Sequence, residues 1–185
     1  METSEKRWHF LVNPAAGRGR AARQWRRWLP LLEAALPGMS WAESSAQTGM
    51  AALAEAAVRS GKHNLVGVGG DGTHHDILNG IIAADGLGQV VYAPLPLGSG
   101  NDWVRTLDTP RKPADWVAML RAGRILRHGV GRLWYGTQTR YFLNVAGMAY
   151  DALVLRKAEA SWFKHRLLYP FMTLWFLREF TAPSV

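Results

Sequence analysis

The chain has no cysteine. This excludes disulfides and thiolate chemistry, and it fits a reducing compartment such as the cytoplasm. Long apolar runs are also missing. The longest, Leu167 to Leu177, covers 11 residues, too few for a helix to cross a bilayer. Met1 to Trp8 is polar and charged, without the apolar stretch of a signal peptide. Acidic residues are scarce beside basic ones, 14 against 22, giving a formal charge of +8. Such an excess suits a polyanionic partner: ATP, an anionic membrane surface or nucleic acid. Nucleic acid is the least favoured, because no recognition motif accompanies the charge.

What is present is ample apolar material. A hydrophobic fraction of 48% over 185 residues supports a packed core, with room for one domain and part of another. Nine tryptophans serve either that core or a membrane–water interface. Strands are expected at Trp8–Val12, Met39–Ser45, Leu65–Val68 and Gln89–Ala93, alternating with helices. The first helix carries Ala21, Trp25, Trp28/Leu29 and Leu32 on one face and Arg20, Arg23 and Arg27 on another, with Pro30 expected to interrupt or kink it. Thr48 is expected to cap the second helix and Gly61 to end it, and Pro113 to Leu120 reads as a further helix. Strands alternating with helices imply a mainly parallel sheet with ligand loops at the strand C-termini.

The chemistry concentrates in Asn64 to Gly80, where a short apolar run breaks into Gly69-Gly70-Asp71-Gly72-Thr73 and then an apolar helical pattern. Strand, glycine loop and helix bring backbone N–H groups and a helix N-terminus around an anion, usually phosphate. No Gly-Lys-Ser/Thr follows, so this is not a Walker-type loop. Gly67, Gly69 and Gly72 match a dinucleotide pattern, but Gly67 lies inside the strand and residues 87 to 98 hold no ribose-binding acid. A carboxylate at Asp71 beside a polyphosphate implies Mg²⁺ nearby; the plainer reading is a solvated turn residue. Thr73 and Asp76 form a capping-box pattern. His74 and His75 are about 100° apart on a helix, unsuited to sharing one metal, and read as polar surface or substrate-edge residues. Ser99 lies between Gly98 and Gly100, and Asn101 or Asp102 is placed to cap a short helix.

Together, Asn13-Pro14-Ala15-Ala16-Gly17, the Gly-Gly-Asp-Gly-Thr loop, Pro96 to Asp102, and Phe142 to Gly147 followed by Asp151 resemble the diacylglycerol kinase catalytic family, across about residues 7 to 180. The resemblance implies a three-layer, Rossmann-like α/β domain over 1–123, as in NAD kinases and phosphofructokinases. It also implies an incomplete, β-rich lipid-substrate domain over 124–185, the start of a β-sandwich. It implies an ATP-dependent lipid kinase using Mg²⁺, cytoplasmic and peripheral at the inner face of the membrane, with a homodimer as one arrangement. Asp71 would be catalytic. Nucleotide contacts would come from Asn13 to Gly17, Ser45, Gly70 to Asp76 (His74 and His75 included) and Ser99. Asn101 and Asp102 would face the substrate cleft. The alternatives are an NAD or sugar kinase sharing the loop, and a nucleotide-binding fragment without catalysis. The family's second domain continues for about another hundred residues, so its general base is expected to lie beyond this sequence.

Departures from the family pattern are Ser45 for Thr, Asp76 for Glu and His128 for Asp. A hairpin is expected from Ile125–Tyr135 and Arg140–Val145, joined through 136–139. A bent helix is expected around Trp162, Phe163, Leu167 and Phe171, with an exposed, adhesive aromatic surface.

Overall fold

Alternation of apolar side chains along the first strand already fixes two packing layers. The computed structural model describes residues 7–144. In β1 (His9–Val12), Phe10 and Val12 point to one side and Leu11 to the other, and all three are fully buried. The same holds in β3 (Asn64–Gly69), where Val66 and Val68 join Phe10 and Val12 while Leu65 joins Leu11. Burial on both faces requires helices on both faces. Helices α1 (Arg20–Ala35) and α5 (Pro113–Ala122) cover one side through Trp25, Trp28, Leu32, Trp116 and Val117. Helices α2 (Met50–Arg59) and α3 (Asp71–Ala83) cover the other through Met50, Ala54, Val58, Ile77 and Ile81.

With β2 (Ser40–Glu43) and β4 (Val91–Pro96), the four strands form a parallel sheet of order β2-β1-β3-β4. The chain leaves β1 toward β2 on one side and leaves β3 toward β4 on the other. The order therefore reverses between β1 and β3, and the crevice at their C-terminal ends is where ligands bind in such sheets.

Several local expectations need correction. Pro30 does not interrupt α1, which runs through it. Pro30 and Arg26, whose carbonyl loses its helical donor, are both exposed, so water can serve that carbonyl. Thr48 does not cap α2. Gly49 holds that position, and Thr48 belongs to a turn closed by Ser45, whose Oγ accepts from the N–H groups of Gln47 and Thr48. Thr73 and Asp76 do not form a capping box, because α3 begins at Asp71 with Gly70 at its N-cap. The fourth strand runs on through Pro94 and Pro96; as β4 is a border strand of this sheet, the missing N–H groups cost no ladder partner on its outer side.

Past Gly123, residues 124–130 carry no regular structure, and the antiparallel hairpin β5 (Gly131–Tyr135) and β6 (Gln138–Phe142) forms its own two-stranded sheet. The first strand is thus shorter than expected. Continuing the register would pair 125–128 with 145–148, outside the described residues. The hairpin is tied to α3 by Asn79, whose Nδ2 donates to the Tyr141 carbonyl at 3.0 Å and whose Oδ1 accepts from the Tyr141 N–H at 3.3 Å. The expected helix around Trp162, Phe163, Leu167 and Phe171, the Val145 to Asp151 part of the last motif and the proposed adhesive surface all lie outside the described residues. No helix among the described residues is long and apolar enough to cross a membrane.

Candidate active site

The loops that leave β1, β3 and β4 meet at the C-terminal edge of the sheet, and polar side chains lock them to one another. Asn13 follows β1 directly. Its Nδ2 donates to Thr73 Oγ1 at 2.9 Å and its Oδ1 accepts from the Ala15 N–H at 3.1 Å. Thr73, which is buried inside α3, therefore serves as the anchor between the first and third loops. Arg20, at the start of α1, donates from Nε to the Gly17 carbonyl at 3.0 Å and from Nη2 to Ser99 Oγ at 3.4 Å. It joins the first loop to the one after β4. The third and fourth loops touch backbone to backbone: the N–H groups of Leu97 and Gly98 both donate to the Gly69 carbonyl at 2.9 Å. A Cβ on Gly98 would collide with the Gly70 backbone, so glycine is required there by close approach.

Asp71 makes the main connection. Its Oδ2 accepts from the backbone N–H groups of Asn101 at 2.7 Å and Asp102 at 3.0 Å, and its Oδ1 from that of Trp103 at 3.2 Å. These are the opening N–H groups of α4 (Asp102–Thr106), so a carboxylate thirty residues upstream caps this helix. The expectation that Asn101 or Asp102 supplies the cap is corrected. Asn101 stands at the N-cap with φ 90° but makes no side-chain cap; its Nδ2 donates to the Gly98 carbonyl, and Asp102 pairs with Arg105 at 2.6 Å.

The donors left for an anion differ from those expected. Of residues 13–17, Pro14 has no N–H, and those of Asn13, Ala15 and Ala16 are bonded to Val68 O, Asn13 Oδ1 and Asn13 O. Gly17 remains. At the start of α3 the first N–H groups have no intrahelical partner, and the helix dipole adds partial positive charge. Gly72 faces open space: a Cβ built there would meet nothing within 4 Å.

The remaining candidates separate. His74 is not a surface residue: it is 1% exposed, beneath the loop. Burial lowers its pKa from 6.5 to about 4, and nearby Asp71 opposes that shift. His75 is half-buried, and Asp76, Ser99 and Ser45 are exposed. Ser45 lies one strand further out, after β2, with its hydroxyl closing its own turn. Sequence reasoning missed Arg20 as a loop clasp, placing it only on an arginine face of the first helix. It also missed Tyr92 and Trp103, which pack on His74. For Tyr92 a signal existed: the lone glycine inside β3, Gly67, marks a close approach, and a Cβ there would collide with the Tyr92 hydroxyl.

A parallel sheet clothed on both faces, with interlocked glycine loops at its switch point, defines the Rossmann-like α/β class. Within that class, residues 7–133 match the model of the diacylglycerol kinase catalytic domain, and the chain belongs to that family. It is similar to the diacylglycerol kinase of Bacillus subtilis (strain 168), 30% identical over 145 residues, covering 77% of this chain and 45% of that protein. It is also similar to the diacylglycerol kinase of Staphylococcus saprophyticus, 29% identical over 146 residues, covering 76% and 44%. The crystal structure of a diacylglycerol kinase from Bacillus anthracis str. Sterne superposes with a TM-score of 0.58 at 25% identity, covering 70% of this chain and 44% of that one. The chain spans about half the length of the curated relatives it matches.

Proposed function

We propose that this protein is an ATP-dependent lipid kinase that phosphorylates a hydroxyl of diacylglycerol or a related lipid. The observation that carries this reading is the meeting of three loops at one sheet edge, with the first N–H groups of α3 opening onto free space in front of Gly72. The nucleotide phosphates would lie against the N–H groups of Gly17, Gly72 and Thr73, with the Arg20 guanidinium alongside. When bound, ATP supplies the phosphoryl group, and its transfer asks of a protein chiefly positioning and charge neutralisation. Asn13 and Thr73 hold the first and third loops in register, Asp71 holds α4 against them, and Arg20 offsets negative charge. Among the described residues no group of three His, Cys, Asp or Glu could hold a metal, and Asp71 already accepts three N–H bonds. These residues therefore do not fit a resident Mg²⁺; an ion brought by the nucleotide would be held by phosphates and water. In this reading residues 1–123 bind nucleotide, 124–185 belong to the lipid-binding part, and the protein works at the inner face of the membrane.

The experiment is to incubate the protein with γ-labelled ATP and diacylglycerol in mixed micelles, with NAD and sugar phosphates as competing acceptors. Label in the lipid is expected when the protein is assayed with the family's second domain complete, because the general base is expected there. Label passing only to NAD or a sugar phosphate, or nucleotide binding with no transfer by that complete protein, would overturn the reading.

A further inference from the structure

The outer face of α1 carries charge that the loop rim does not use. At about 100° per residue, Arg20, Arg23, Arg26 and Arg27 fall within an arc of about 120°, opposite the buried Trp25, Trp28 and Leu32. All four arginines are exposed. Arg20 is engaged at the rim by Gly17 and Ser99. Arg23, Arg26 and Arg27 make no hydrogen bond or ion pair with any described residue; the ion pairs among the described residues are Arg59–Glu55 and Arg105–Asp102. Leu31, one turn past Arg27 on the same side, is an apolar side chain left 41% exposed.

This arrangement is unfavourable in the free protein. Arg23 lies three residues from Arg20 and Arg26 and four from Arg27, and like charges at those spacings repel. Glu33, the one acid of α1, is three or four residues from none of them. The layer on the other side of the sheet is built differently. Helices α2 and α3 carry Glu55, Asp71 and Asp76 against Arg59, a formal −2, where α1 alone carries +3. The two faces of the domain therefore differ in sign, and an anionic surface attracts one of them.

The free arginines radiate from the convex side of a helix, so they do not converge on one small anion. Anionic lipid headgroups diffuse sideways and gather under scattered charges, and a leucine among the arginines can enter the headgroup layer. A nucleic acid holds its phosphates at fixed spacing and is gripped by a recognition element, which this face lacks.

We propose that the outer face of α1, through Arg23, Arg26, Arg27 and Leu31, is the surface by which this protein docks on an anionic membrane. Because α1 starts at the loop edge, a membrane on this face extends to the rim at Arg20. That the membrane also holds the substrate rests on the kinase reading; the docking does not.

The test is sedimentation of the whole chain with vesicles of phosphatidylcholine, either pure or with about one third phosphatidylglycerol. Binding is expected to the anionic vesicles alone, and raising salt from about 0.1 M to about 0.5 M should remove most of it. Each arginine near such a surface strengthens binding about fivefold, so Arg23→Gln/Arg27→Gln should weaken it about twentyfold. Glutamine suits a helix and both sites are exposed, so the melting temperature should hold. The charge-matched Arg59→Gln/Lys62→Gln, away from α1, should change binding less than about twofold. Leu31→Ser should weaken it about threefold without altering the salt dependence. Wild-type protein that ignores the anionic vesicles, equal losses in the two double variants, or tighter binding to a duplex oligonucleotide than to vesicles in the same salt would overturn the proposal. Docking by α1 in a protein that, when complete, transfers no phosphate to lipid would uphold this face and remove the kinase reading alone.

Discussion

The apolar layers of the sheet and the polar rim at its C-terminal edge share the same strands but are held together differently. In the layers, Phe10 meets Trp25 at 5.4 Å and Trp116 at 6.1 Å, and stability is spread over many nondirectional contacts. At the rim, each loop is fixed by a few directed bonds: Asn13 to Thr73, Arg20 to Ser99, Asp71 to the start of α4. A side chain in the layers can be exchanged for another of similar volume at modest cost. A side chain at the rim is tied to particular partners, and its loss frees a loop. Substitutions in the layers should therefore change stability, and those at the rim should change geometry and ligand binding more.

The largest expected effect lies in the layers. Trp116 is fully buried, and its Nε1 donates to the Pro94 carbonyl at 2.9 Å. Trp116→Ala should cost about 3–5 kcal/mol, because it opens a cavity and strips that carbonyl of its donor. Urea denaturation measures this. A loss below about 1 kcal/mol would show that α5 is not part of the main core.

Acid tests both regions together, since one histidine belongs to each. His9 in β1 has its pKa lowered from 6.5 to about 4, by burial and then by Lys62; His74 at the rim is lowered to about 4 by burial against an opposing pull from Asp71. Folded pKa values below the unfolded ones mean that the unfolded chain takes up protons first. The stability these neutral rings hold is complete above pH 6.5 and is lost as pH falls toward 4. Between pH 7.5 and pH 5 the loss should be about 2 kcal/mol for each histidine. Thermal melts across this range check the slope, and a His9→Asn variant should remove about half of it. A flat profile would mean that the two rings titrate normally.

Asp71→Ala probes the rim. It takes the cap from α4 and should cost about 1–2 kcal/mol; Asp71→Asn keeps one acceptor oxygen and should cost less. From sequence, Asp71 reads as a residue whose loss hardly affects stability, but its three backbone bonds argue otherwise. Both variants should reduce phosphoryl transfer about a hundredfold or more, as the loops lose their registration. Near-normal transfer to diacylglycerol by Asp71→Ala would separate the clamp from the chemistry.

The contrast also explains what could be read in advance. Trp25, Trp28 and Leu32 announce a helix face, Trp8 to Val12 a strand and Leu65 to Val68 a buried one, because periodicity and apolar runs record burial directly. The meeting of the three loops followed from the parallel order of the strands. The partners of rim residues leave no such record. Thr73 looks like half of a capping box because Asp76 stands three residues on, yet its hydroxyl bonds to Asn13, sixty residues back. His74 looks like surface because it is polar, and its burial depends on Tyr92 and Trp103 from other elements. The first loop reads from sequence as a source of free N–H groups, yet three of them are spent on Val68 and Asn13.

The smallest stability change and the most selective functional one should come from Gly72→Ala. Gly72 is exposed in the first turn of α3 and is not among the glycines with positive φ. A methyl group there strains no backbone and meets no protein atom within 4 Å. Alanine is also the better helix former, so the fold should be unchanged or gain up to about 1 kcal/mol. The space the methyl fills is the space in front of the α3 N-terminus, where a phosphate would have to come close to the N–H groups. Titration calorimetry should therefore show ATP affinity falling about tenfold or more while the melting temperature stays level or rises. Every cost of this substitution that belongs to the protein is absent, so a loss of affinity can be assigned to the ligand. Unchanged ATP binding by a stable Gly72→Ala protein would place the phosphates elsewhere on the rim and make the glycine loop a device for packing loops together.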